Sequence, residues 1–123
     1  MSYDDKALRQ TYSFPAATIS GATTTYPIKG PTGRRGRVIA VHGAVTTVIV
    51  GAPAIQVGVS GTLAKFANLS ISAAAAGSAL ATETMTRNAA GIPDYIDTTD
   101  TALVTVTTGT SGVVVPSVTI DWF

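Results

Sequence analysis

Alternation of apolar and polar residues is the clearest pattern in this chain. It is strict across residues 55–60 and returns across residues 67–71, after a break at Gly61. Side chains of a β-strand point to opposite faces in turn, so a period of two predicts strands with one buried face. The predicted buried positions are Ile55, Val57, Val59, Ala67, Leu69 and Ile71.

Two runs of β-branched residues precede this segment, at Val38–Val41 and Val45–Val50. Valine, isoleucine and threonine favour strands because their branched side chains suit a pleated surface. His42-Gly43 lies between the runs and is interpreted as a turn or a bulge.

The C-terminal third also alternates, first at Val104 and Val106 and then from Val114 to the end. Pro116 cannot donate a hydrogen bond to a neighbouring strand, so we expect an edge position or a bulge there. In the last run the predicted buried face consists of Val114, Pro116, Val118, Ile120 and Trp122. Since termini fray unless they are held, we expect Trp122 to dock into the core or into a neighbouring subunit.

Two segments lack this regularity. Residues 1–12 are polar and mixed in charge and residues 13–30 are rich in Thr, Pro and Gly, so residues 1–29 predict an extended N-terminal arm, with one strand around residues 17–20. Residues 72–91 are rich in alanine, but Gly77 and Ser78 weaken the helix signal, so we expect a loop with at most two helical turns.

The fold class follows from six to eight short strands without strand–helix alternation. This pattern favours an all-β, antiparallel β-sandwich or jelly-roll-like single domain over residues 30–123, preceded by the arm. We expect a chain that lacks residues 1–25 to keep this domain folded.

Composition indicates a surface that is easily buried. Charged residues are 12% of the chain, about half the usual share, while 46% are hydrophobic. Small polar residues replace the charges, and they cost less to desolvate in an interface. Residues 1–65 carry 7 − 2 = +5 and residues 66–123 carry 1 − 5 = −4, so a fold that separates the halves is polarised. If the strands interleave, this polarity cancels.

The absence of Cys excludes disulfides and thiolate chemistry. His42, the single histidine, is not accompanied by a nucleophile motif, and we expect a structural or exposed turn residue rather than a catalytic one. Asp94, Asp97 and Asp100 recur at intervals of three, which fits a cation site or ordinary turn residues. We predict no enzyme activity, no cofactor and no membrane segment.

Six residues are candidates for partner binding. Arg34, Arg35 and Arg37 form the one basic cluster, which suits an acidic protein surface, phosphate or solvent. No aromatic residues interleave with the cluster, so we expect no nucleic-acid partner. In the arm, spaced aromatic residues suit pockets on a partner, although packing on the chain's own domain is an equal alternative. These aromatic candidates are Tyr12, Phe14 and Tyr26.

Three segments resemble the decoration, or cement, proteins of tailed-bacteriophage capsids. They are the Gly-Pro-x-Gly-basic loop at residues 30–38, the strand at residues 55–60, and the ending Val118-Thr119-Ile120-Asp121-Trp122-Phe123. The resemblance implies a β-sandwich or jelly roll on the outer capsid surface, made in the host cytoplasm. It also implies binding to the major capsid protein as a homo-oligomer, with a trimer favoured and a dimer possible.

Two other functions remain open from the sequence. One is another virion part, such as a head fibre base or a tail-associated module. The other is a small ligand- or sugar-binding β domain, whose aromatic platform would have to come from residues outside the arm. Those aromatic residues are Phe66, Tyr95 and Trp122.

Overall fold

The computed structural model describes residues 8–82, 85–87, 90–91 and 94–123. Within these ranges every regular element is a strand, and no helix is long and apolar enough to cross a membrane. The strands are β1 Leu8–Ser13, β2 Ala17–Thr18, β3 Thr24–Ile28, β4 Gly36–Val50, β5 Ala54–Val59, β6 Thr62–Ser70, β7 Ala79–Thr82, β8 Ala102–Val106 and β9 Ser111–Trp122.

Two antiparallel sheets pack face to face. The first sheet has the order β1-β9-β4-β7, and the short β2 continues the β1 side by pairing with β9. The second sheet has the order β3-β8-β5-β6. The predicted all-β antiparallel sandwich is therefore confirmed.

The connectivity is that of a jelly roll. If β1 and β2 count as one strand, the first of eight strands pairs with the last, the second with the seventh, the third with the sixth and the fourth with the fifth. The chain thus folds as a long hairpin that is rolled up into two four-stranded layers.

The core lies between the layers and consists of the predicted alternating residues. Ile55, Val57, Ala67 and Ile71 are fully buried, and Leu69 is nearly so. All five predicted core positions of β9 are buried, because each strand turns one face toward the opposite sheet. Val59, at the end of β5, is half-buried.

The predicted interruption at His42-Gly43 is wrong, since β4 runs unbroken through both residues. Gly43 is buried, and a Cβ atom there would lie 2.9 Å from the Cδ1 atom of Ile55 in the other sheet. The glycine therefore lets the two sheets approach each other and does not turn the chain. The irregularities of β4 lie at other places, between residues 38 and 40 and between residues 45 and 50.

The described part of the predicted N-terminal arm forms strands that pair within the sandwich and does not stand apart from it. β1 pairs with β9 from Leu8↔Trp122 to Ser13↔Ser117, and β3 pairs with β8 from Thr24↔Val106 to Ile28↔Ala102. Residues 8–28 are therefore part of both sheets, and residue 30 does not separate two structural units. Residues 1–7 of the predicted arm lie outside the described ranges.

Pro116 lies in an interior strand, so the predicted edge position is wrong. In an antiparallel strand the N and C=O groups of one residue face the same neighbour. The carbonyl of Pro116 accepts a hydrogen bond from Phe14 N (3.1 Å), between β1 and β2. The proline nitrogen therefore faces the gap between β1 and β2, where no neighbouring strand needs a hydrogen-bond donor.

The described part of residues 72–91 forms turns, without a helical turn, and then β7. Val45 N donates to Ser78 O (2.9 Å) and Gly77 N to Val45 O (2.8 Å), so the alanine-rich segment aligns beside β4. β7 then pairs with β4 from Val41↔Thr82 to Ala44↔Ala79. Alanine has little intrinsic preference for strands, and this pairing overrides its local propensity.

Candidate partner-binding site

The loop at residues 30–36 wraps around the indole ring of Trp122. Trp122 is 3% exposed, which confirms that it docks into the core. A Cβ atom at Gly30 would lie 2.4 Å from the ring, and one at Gly36 would lie 2.6 Å from it. Only glycine permits this approach at both positions, so the Gly-Pro-x-Gly loop and the Trp-containing ending form one packed unit.

Arg35 and Gly36 form the centre of this unit. Arg35 N donates to Phe123 O (2.9 Å), and Phe123 N donates to Arg35 O (2.8 Å). On the next residue, Gly36 N donates to Ile96 O (2.9 Å), and Ile96 N donates to Gly36 O (2.7 Å). Residues 35–36 are therefore hydrogen-bonded to two chain segments that are distant in sequence.

The side chain of Arg35 lies over two aromatic rings and is exposed. Its guanidinium carbon is 5.3 Å from the ring centre of Tyr95 and 5.9 Å from that of Phe123. The two rings meet edge to face with their centres 5.5 Å apart. Both distances are within the range of cation–π contact, which holds the guanidinium beside the rings. We call Arg35, Tyr95 and Phe123 the arginine shelf.

A cleft of about 330 Å³ opens beside the shelf. Ile28, Ile96 and Trp122 contribute apolar walls, and Lys29 and Arg34 contribute basic groups. Arg34 is half-buried, and its N–H donates to Pro31 O (3.3 Å) within the turn. Asp97 and Asp100 also line the cleft, so its acidic and basic groups balance, and it can receive an apolar group next to the Arg35 shelf.

Arg37 lies on the outer face of the first sheet, apart from the shelf. It is the cross-strand neighbour of Asp121, whose neighbour on the other side is Arg9. Arg9 Nε donates to Asp121 Oδ1 (2.8 Å), and Nη2 donates to Oδ2 (3.1 Å). This hydrogen bonding by Arg9, with the charge of Arg37 adding to it, holds the pKa of Asp121 below its ordinary value although burial opposes the shift.

The predicted aromatic contacts are made inside the molecule. Tyr12, Phe14 and Tyr26 are all half-buried. Phe14 stacks on Tyr26 with ring centres 5.2 Å apart, which joins the two sheets at their β1 and β3 edges. The hydroxyl of Tyr12 accepts the indole N–H of Trp122 (2.9 Å) and donates to Gln10. These rings close an edge of the sandwich, so the alternative of packing on the chain's own domain is the one observed.

The aspartates at residues 94–100 belong to a turn. Asp97 Oδ1 accepts from Thr98 N (2.8 Å), and Asp100 Oδ2 accepts from Asp97 N (3.0 Å). These bonds use the carboxylates to satisfy backbone donors, as aspartates commonly do in turns. Among the described residues no group of three or more His, Cys, Asp or Glu side chains is placed to hold a metal ion.

His42 is exposed on the outer face of β4, in a shallow depression with Ser13 and Ser117. Within the described part of the chain no carboxylate forms a hydrogen bond or ion pair with His42, so the arrangement of a catalytic triad is not met there.

The basic and acidic halves of the sequence are not kept apart in the folded chain. β9, from the acidic half, lies between β1 and β4 of the basic half, and β8 lies between β3 and β5. Arg9 and Arg37 therefore meet Asp121, and Arg35 lies beside the segment that begins at Asp94. The predicted alternative, cancelled polarity, is the one observed.

The sequence analysis identified Arg35 but missed the two rings beneath it. Tyr95 is 60 residues from Arg35 and Phe123 is 88 residues away, and nothing local connects either to the basic loop. The repeated Gly residues around the arginines were the available signal, because they indicate close approach of a bulky group.

Comparison of the chain with protein-family models, curated proteins and solved structures found no match.

Proposed function

We propose that this chain is a structural virion protein that decorates a tailed-phage capsid and stabilises it by binding across neighbouring major capsid subunits. The supporting observation is that two of the segments that resemble such proteins pack against each other. Gly30 and Gly36 of the loop contact the Trp122 ring of the ending. The glycines of the loop and the tryptophan of the ending, which carry the resemblance, are therefore in contact in the folded chain.

The fold and surface are compatible with this role. Jelly rolls recur among viral capsid proteins, which is an argument from analogy. In addition, the low charge content leaves strand faces of small residues whose desolvation costs little free energy. A stable interface buries about 800 Å² per partner, and repetition over a shell strengthens attachment through avidity.

A ligand- or sugar-binding domain is the weaker alternative. Of the four aromatic residues outside the arm, Phe66 and Trp122 are 1% and 3% exposed, and Phe123, although 42% exposed, is in contact with Arg35. Tyr95 remains partly accessible, but it already supports Arg35.

Co-sedimentation tests the proposal. The purified full chain is mixed with empty shells assembled from the major capsid protein of the same genome, and the pelleted protein is imaged by cryo-microscopy. We expect saturable binding and added density on the outer surface where capsid subunits meet. No binding to shells, or binding that adds no density to the outer surface, would reject capsid decoration.

Oligomeric state is a separate measurement. We expect light scattering of the purified protein to report a homo-oligomer, with a trimer favoured over a dimer. A monomer at all concentrations, in solution and on shells, would contradict this part of the proposal.

A further inference from the structure

Among the described residues, Arg35 is held by two aromatic rings and forms no ion pair. Its backbone is hydrogen-bonded to Phe123, and its guanidinium lies over the rings of Tyr95 and Phe123. Within the described ranges no carboxylate forms an ion pair with it. Arg9, by contrast, uses two of its donors on Asp121. Arg35 is exposed, so its N–H donors are accessible to a partner.

A pre-oriented guanidinium is an efficient anchor for a planar anion. Its N–H groups form parallel hydrogen bonds with the two oxygens of a carboxylate, and such charge-assisted bonds are stronger than neutral ones. Contact with two rings restricts the free side chain and so lowers the conformational entropy that it loses on binding.

The surroundings favour a single carboxylate over a polyanion. Asp94 directly precedes Tyr95 in the shelf, and Asp97 and Asp100 line the adjoining cleft. These carboxylates would repel the successive phosphates of a nucleic acid, and no described aromatic face is arranged as a stack for bases. A protein surface can instead offer one acidic side chain at the shelf.

The cleft beside the arginine shelf can bind an apolar residue of the partner. It adjoins Arg34, next to Arg35 in the chain, and Ile28, Ile96 and Trp122 contribute to its walls. An apolar group in a pocket beside an arginine is the usual composition of an interface hot spot.

We propose that Arg35 binds a glutamate or aspartate side chain of the partner protein, and that the cleft takes an apolar side chain next to that acidic residue. This inference rests on the proposed function in identifying the partner as the major capsid protein. The recognised feature is an acidic residue followed by an apolar one on an exposed segment.

The first test uses assembled shells and matched variants. R35A removes the guanidinium, and R35K keeps the positive charge without the planar guanidinium. K65A is the control: Lys65 also lies over an aromatic ring, that of Phe66 (5.6 Å). Phe66 belongs to β6, which is at the opposite edge of the second sheet from β3. We expect R35A to weaken binding to shells by about tenfold or more, R35K to restore part of the loss, and K65A to bind like the wild type. Urea midpoints of all three variants verify that they are folded.

The second test does not depend on shells. The arginine side-chain Nε–Hε signals of the full chain are followed by NMR during titration with acetyl-Glu-Leu-Glu-Leu-amide and with the same peptide carrying glutamine. We expect the Arg35 signal, assigned by its loss in R35K, to shift with the glutamate peptide only. A short DNA duplex is titrated in parallel and is expected to shift it less at equal concentration.

The outcomes separate the two proposals. If wild type binds shells and R35A binds equally well, the anchor is rejected while capsid decoration stands. If wild type does not bind shells, decoration is rejected, and the anchor stands or falls with the response to the glutamate peptide. If DNA binds through Arg35 more tightly than the peptide does, the partner is not the protein carboxylate proposed here.

Discussion

At the scale of single residues, Trp122 organises the corner that carries the arginine shelf. Its ring is packed by Gly30 and Gly36, and its indole N–H is satisfied by Tyr12. A buried indole needs such a hydrogen-bond partner, and a tightly packed ring tolerates no added atom nearby. Small changes around this ring should therefore have measurable effects on stability.

G30A is the most direct test of this packing. Its methyl group would lie 2.4 Å from the ring, so we expect a loss of about 1–3 kcal/mol in the free energy of unfolding, measured in urea. In a W122L background the contacted ring atoms are absent, and the same substitution should cost much less. Equal costs in the two backgrounds would show that Gly30 is not constrained by the ring, and T32A serves as an exposed control in the same loop.

Asp121 should make stability depend on acid pH. Arg9 lowers the pKa of Asp121, so the carboxylate binds protons less readily in the folded chain than in the unfolded chain. The stabilisation is fully present above the unfolded pKa of about 3.9 and is lost as the pH falls through the lower folded value. The free-energy difference between wild type and D121N should accordingly be present at pH 7 and decline below about pH 4.

The contribution of Arg9 can be measured separately. Because its side chain is 67% exposed and solvent screens the pair, we expect R9A to lower the free energy of unfolding only slightly. In R9A the pKa of Asp121, followed by carboxyl NMR, should move up toward its ordinary value. An unchanged pKa would mean that Arg9 does not control this group.

At the scale of elements, the N-terminal strands are structural parts of the sandwich. β1 and β2 cover β9, and β3 covers β8, so removing them exposes the backbone donors and acceptors of two interior strands. Such edges promote aggregation, and the aromatic contacts of Phe14 and Tyr26 would be lost as well.

Deletion of residues 1–25 removes β1, β2 and the first two residues of β3, so it should unfold the chain or make it aggregate. This outcome reverses the expectation drawn from the sequence, in which the domain stayed folded without the arm. Amide NMR dispersion and size-exclusion chromatography give the measurement. A deletion of residues 1–7 is the control, because it leaves every described strand in place, and a well-dispersed spectrum for the longer deletion would refute the structural role.

At the scale of the whole molecule, the jelly roll joins the two ends of the chain. Leu8 pairs with Trp122, which is 114 residues away, and the other hairpin-like pairs are nested inside this one. Closing such long loops costs entropy before the contacts compensate for it. The arginine shelf, built from residues 35, 95 and 123, is complete only after this closure.

Refolding should consequently be slow for a chain of this size. We expect relaxation in the range of milliseconds to seconds after dilution from urea, as for other sandwiches dominated by non-local pairing. Stopped-flow fluorescence of Trp122 measures it, since the ring becomes buried at the final closure. Complete burial of the ring within microseconds would contradict this order of events.

Local alternation was sufficient to predict strands at residues 55–59, 67–71 and 114–122, their buried faces and the sandwich class. These properties depend on the two-residue period of an extended backbone, which each segment carries within itself. The basic loop, with Arg35 as a candidate, was also readable, because its glycines and arginines are adjacent in the sequence.

Strand pairing, by contrast, is decided between distant segments. It made β4 continuous through His42-Gly43, drew residues 79–82 into a strand, and turned the aromatic rings of the predicted arm inward. The same long-range closure placed Tyr95 and Phe123 beneath Arg35. A local pattern defines which way a side chain faces, but the neighbour it meets depends on contacts over the whole chain.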